Sequence, residues 1–74
     1  MPDKRNAEID FVVFLLYRIS EAWGVPVRTV HERLSHAGIL HEYLIPCYDV
    51  LHTLGSEYLV EDITELAREK GVRV

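Results

Sequence analysis

Glycines at positions 24, 38, 55 and 71, with prolines at 26 and 46, cut this 74-residue chain into stretches each about the length of one helix. Glycine adopts the left-handed conformation that closes a helix, and proline's fixed φ suits a first helical turn while forbidding the helix interior. Between these stops the apolar residues recur at helical spacing. Asn6 is placed to cap the first helix, with Glu8 and Asp10 in its first turn, and the pattern runs to Trp23. Pro26 opens a second helix through Val30, Leu34 and Ala37, ending at Gly38. Ile39 to Leu44 predicts a short third helix and Pro46 to Leu54 another piece; Ser56 then caps a last helix to about Lys70. Tyr58-Leu59-Val60 is β-prone, but Leu59, Ile63, Leu66 and Ala67 keep helical spacing. The four glycines read as helix terminators. The expected fold is one all-α domain over 1–74, a compact four- or five-helix unit with a helix-turn-helix-like corner. Short tails are expected over 1–6 and 72–74, the latter extended.

A core this small seldom yields more than about 3–5 kcal/mol of stability, so help from a partner or a second copy is expected. Hydrophobic residues make up 49% of the chain, more than so small an interior readily hides. Cys47 is the sole cysteine, which excludes an intrachain disulfide. The apolar run from Phe11 to Tyr17 falls far short of the roughly 20 residues that span a bilayer, and no small-residue cleavage site follows it. The expected location is the cytoplasm, with no membrane partner.

The first helix has two apolar faces. At about 100° per residue, Ile9, Val12, Leu15, Leu16, Ile19, Ala22 and Trp23 share a sector of roughly 140°, the core face. Val13, Phe14 and Tyr17 lie largely opposite, beside Asp10, Ser20 and Glu21. Either other helices wrap both faces, or Val13, Phe14 and Tyr17 form a contact patch for a second copy or another protein. On the last helix Glu57, Glu61, Glu65 and Glu69 recur every fourth residue. Like charges at that spacing cost about 0.2–0.5 kcal/mol per pair, so helix stability does not account for them. They are either a solvated face partly balanced by Arg68 and Lys70 or an acidic ridge that steers a basic partner, with Tyr58 as a rim contact.

The segment from Ile19 to Leu34 resembles the helix-turn-helix of bacterial repressors over about a fifth of the chain. A small residue stands before the turn glycine, and Val25, Thr29-Val30 and Leu34 take inward positions. In that reading Val27, Arg28, Thr29, His31 and Glu32 face the major groove, with Arg28, Thr29 and His31 as DNA contacts. A packing corner with a glycine cap and a proline start gives the same pattern. Glu32 and a formal charge of −4 count against nucleic acid, although a local patch can differ from the total.

Catalytic chemistry finds no foothold. His31, His36 and His41 are five apart, which spreads them around a helix, and there is no His pair at i, i+4 and no CxxC. No metal and no cofactor are expected. Asp49 and His52 are one turn apart, a spacing suited to a structural hydrogen bond more than to an acid–base pair. Cys47 has no base partner in sequence and reads as buried. No phosphate loop, nucleophile elbow or paired-carboxylate site is present, so the chain is not expected to be an enzyme.

The apolar Ile9-Asp10-Phe11-Val12-Val13-Phe14, then Tyr48-Asp49-Val50-Leu51-His52-Thr53, then Gly55-Ser56-Glu57-Tyr58-Leu59-Val60-Glu61-Asp62-Ile63 follow one another in an order that resembles the small bacterial family called domain of unknown function 3791. The resemblance covers most of the chain and is strongest from Leu51 to Ile63; Leu54 stands where the family pattern is polar. The resemblance implies no chemistry for particular residues. It does imply a gene neighbourhood with proteins that look like ADP-ribosyltransferases, arranged like a toxin–antitoxin pair, and so a neutralising or accessory role.

Overall fold

Twenty residues, Lys4–Trp23, form the first and longest helix, α1. The computed structural model describes residues 4–72, with side chains from Asn6 onward. Asn6 lies inside α1 and is not its cap, because the helix already includes Lys4. Glu8 and Asp10 therefore sit beyond the first turn, and the tail expected over 1–6 is helical from Lys4; residues 1–3 lie outside the described residues.

Gly24, with φ +68°, ends α1. Its amide donates to the Ser20 carbonyl at 2.9 Å, and the Ser20 hydroxyl donates to the Val25 carbonyl at 2.5 Å, bracing the corner. Helix α2, Val27–His36, follows, with Pro26 at the capping position just before the first helical residue. The pattern of Val30 and Leu34 is realised: both are fully buried against α1.

The expected third helix is a π-helical turn, Leu40–Leu44, in which the Ile45 amide reaches back five residues to the Leu40 carbonyl at 3.0 Å. Pro46 has no N–H to extend the ladder, and the turn ends there. The next piece is shorter than expected, a single helical turn α3 over Tyr48–Leu51 flanked by hydrogen-bonded turns. Helix α4, Ser56–Glu69, closes the fold. Gly55, extended at φ −68° and ψ 146°, occupies its capping position; Ser56 lies one residue too late to cap. Gly55 therefore starts a helix instead of ending one. At the far end the Val72 amide donates to the Ala67 carbonyl at 2.8 Å, so Val72 is tied back against the core. The extended tail expected beyond it, at Arg73 and Val74, lies outside the described residues.

The described residues contain helices and turns but no strand. Helix α1 packs on both α2 and α4. The centre is built from Leu15, Leu16 and Ile19 of α1, Val30 and Leu34 of α2, Leu59, Ile63 and Ala67 of α4, and Ile39, Leu40, Leu44 and Leu51 between them. Burying such side chains is worth about 1.5–3 kcal/mol each, which drives the assembly. The predicted core face of α1 is right along the middle of the helix and wrong toward its two ends. Ile9 and Ala22 are exposed and Val12 and Trp23 half-buried, because the packed helices cover the middle of its length, around Leu15, Leu16 and Ile19.

Candidate functional site

The outward face of α1 is apolar and uncovered. Ile9, Val13, Phe14 and Tyr17 are 54%, 44%, 51% and 58% exposed. Ile9, Val13 and Tyr17 follow at intervals of four and form one row, and Phe14 widens it on one side. Asp10 and Glu21 are exposed beside them, and Arg18 pairs with Glu21 at 3.5 Å. These four side chains are among the exposed large hydrophobic residues of the fold. On the row's other flank a shallow cavity of about 520 Å³ is lined by Ile9, Val12, Val13, Leu16 and Ile45, with His31 and His41 at its edge.

Helix α4 presents the acids. Glu57, Glu61, Glu65 and Glu69 are all exposed, as are Tyr58, Arg68 and Lys70. Between α1 and α4 run shallow depressions lined by Ala22, Trp23 and Val60, by Glu57, Glu61 and Glu65, and by Arg18 and Arg68. Trp23 is fixed there by its indole N–H, which donates to the Thr64 hydroxyl at 2.8 Å. Tyr58 lies on α4, not on the α1 face, so the residues singled out in sequence occupy two helices: an apolar row on α1 and an acid row on α4.

The helix-turn-helix corner is folded as a glycine-capped junction of α1 and α2. Arg28 and His31 are exposed, but Thr29 is half-buried and Val27 packs against the core, so neither points outward as the groove-facing reading requires. Glu32 stands exposed one turn after Arg28, placing a carboxylate beside that cation.

Elsewhere, side chains serve structure. His52 stacks on Tyr48, rings 4.6 Å apart, and its Nδ1 donates to the Tyr48 carbonyl at 2.8 Å. Tyr48 meets Phe11 edge-on at 5.4 Å, so the three rings pin α3 to α1. Cys47 is half-buried against the core, less enclosed than its sequence context predicts. Among the described residues no three His, Cys, Asp or Glu side chains gather in a metal-holding group, and no helix is long and apolar enough to cross a membrane.

Sequence reasoning missed two polar contacts between elements: the Trp23–Thr64 bond above and one from Tyr43. The Tyr43 hydroxyl donates to Asp62 Oδ2 at 2.5 Å, across 19 residues of chain. This bond, and then burial, pushes the Tyr43 pKa up from 10.0 to about 12. Neither residue carries a local signal for it, since they belong to different elements.

The fold and its surfaces define a small all-α domain distinguished by an uncovered apolar helix face and an acidic one. Residues 10–70 match the family described as protein of unknown function DUF3791, and the chain belongs to that family. No curated protein matches it, and no solved structure does.

Proposed function

We propose that this chain is a non-catalytic protein-interaction module whose principal contact surface is the outward face of α1. The observation that carries the reading is the exposure of Ile9, Val13, Phe14 and Tyr17 on a helix whose other side already forms the core. Large side chains lose water-ordered surface only when covered, and aromatic anchors such as Phe14 and Tyr17 typically dominate contact energies. The acids Glu57, Glu61, Glu65 and Glu69 would add steering toward a basic partner surface. Within this reading the chain acts in the cytoplasm as a neutralising or accessory partner of a toxin-like enzyme; support for that finer role is the gene neighbourhood implied by the family resemblance.

The test is a photo-crosslinking residue placed at Tyr17 in the source cell. One discrete adduct is expected, lost when Phe14→Asp is added while circular dichroism stays helical. A crosslinker at Asp49, away from the face, should give none. Equal, diffuse labelling from both positions would overturn the reading.

A helix-turn-helix DNA binder that represses its own operon is the second reading, supported by the braced Ser20–Val25 corner and exposed Arg28 and His31. Under it, Arg28→Ala weakens a salt-dependent gel shift. A wild-type protein that retards no operator fragment at low salt would end it.

A further inference from the structure

We infer that the occupant of the α1 face is a second copy of this chain, docked antiparallel through the same face with the two-fold axis between Val13 and Phe14. The inference rests on the interaction reading above and adds the partner and its register. Its warrant is the order of charges along the helix. Asp10, Phe14 and Arg18 follow at intervals of four, an acid, an aromatic ring and a base in line on one side of the apolar row. A parallel pair would only bring each charge level with its own copy, Asp10 with Asp10 and Arg18 with Arg18, and would match no acid to a base. Turned antiparallel, the row becomes complementary to itself. Val13 of each copy then meets Phe14 of the other, Asp10 lies level with Tyr17 of the other copy, and that copy's Arg18 is one residue rise, about 1.5 Å, further along. Glu21 falls opposite Asn6, so no acid on the helix faces an acid. Arg18 already touches Glu21, but an exposed i, i+3 pair is weak, and a guanidinium has donors enough for a second carboxylate.

The area is sufficient. Four large, half-exposed side chains leave on the order of 400 Å² of apolar surface on each copy. Doubled by the two-fold and widened by the flanking Asp10, Arg18 and Glu21, the contact reaches roughly the 1,200 Å² at which specific interfaces begin. The acid row of α4 is a separate surface and is left available for a basic partner.

Charge reversal tests the register. Sedimentation equilibrium should show wild-type self-association. Asp10→Arg and Arg18→Asp should each weaken it by roughly tenfold or more, because each sets like charges face to face. An equimolar mixture of the two variants should associate again, since the heterodimer restores both opposite-charge pairs. Cysteine pairing gives a second measurement that needs no charge change. In a Cys47→Ser background, Val13→Cys should form an intermolecular disulfide, while Ile9→Cys, about 13 Å from its counterpart in this register, should not. Disulfides at both positions would indicate a parallel pair and overturn the inference. Single variants that associate like wild type, with no preference for the mixture, would overturn it too. A wild-type chain monomeric up to millimolar concentration also overturns it. In that case a heterologous adduct from the Tyr17 crosslinker leaves the interaction reading standing, and no adduct removes both.

Discussion

Trp23 and Thr64, 41 positions apart in the chain, are joined by a hydrogen bond from the indole Nε1–H to the threonine hydroxyl at 2.8 Å. The same hydroxyl donates its proton to the Val60 carbonyl at 2.7 Å, so one side chain links α1 to the backbone of α4. Thr64→Val keeps the shape and removes both bonds. Urea unfolding should lose about 1 kcal/mol with an unchanged m-value, and the fluorescence of Trp23, the one tryptophan, should shift. Equal midpoints for variant and wild type would count against a stabilising link.

The second bond, from Tyr43 to Asp62, makes stability depend on alkaline pH. Tyr43 holds its proton up to about pH 12 in the fold, against 10.0 as its ordinary value. A folded pKa above the unfolded one means the stabilisation is complete below about pH 10 and is lost as pH rises toward about 12. Tyr43→Phe should cost about 1–2 kcal/mol at neutral pH. Between neutral pH and about pH 11 its unfolding free energy should decline less than that of wild type. Parallel pH curves would show that the bond is not formed.

Ile63 is fully buried at the centre of the core. Ile63→Val should cost about 0.5–1.5 kcal/mol and Ile63→Ala about 2–5 kcal/mol. Against the few kcal/mol available to a domain this small, the alanine variant should be largely unfolded at room temperature by circular dichroism, with the valine variant still folded.

Two glycines should respond in opposite directions. Gly38 sits at φ +79°, and an added Cβ would meet the Glu42 carboxylate at 3.1 Å, so Gly38→Ala should destabilise by about 1 kcal/mol or more. Gly55 is extended, opens α4, and has nothing within 4 Å of an added Cβ. Gly55→Asp supplies the missing cap and narrows the unfolded ensemble, so it should stabilise by about 0.5–1 kcal/mol. Thermal melts read both; a lowered melting temperature for Gly55→Asp would contradict the capping argument.

The helical architecture was legible because apolar spacing and glycine stops are local. Leu59, Ile63 and Ala67 outweigh the β-prone Tyr58-Leu59-Val60, and all fall in α4. Starts were read less well than stops: Asn6 and Ser56 are good capping residues, yet the chain places both inside helices. A capping side chain is only a preference, and packing of the following face decides where the first turn lies. The exposure of Phe14 and Tyr17 follows from counting faces on one helix. The contacts from Tyr43 to Asp62, Trp23 to Thr64 and Phe11 to Tyr48 were not legible, because each needs the relative placement of two elements that no local pattern encodes.

The wide turn at Leu40–Leu44 sets the phase of everything after it. A π turn holds one residue more than an α-helical turn spanning the same height. Leu40 and Leu44 are buried and Tyr43 reaches Asp62 with that extra residue in place. Removing any one residue from this segment would rotate those that follow by about 100°, swinging Tyr43 or Leu44 off its target while leaving composition nearly untouched. The length of this segment therefore matters more than the identity of its outward-facing positions: His41 and Glu42 are exposed and should tolerate exchange, whereas a shortened chain would have to find another way to close.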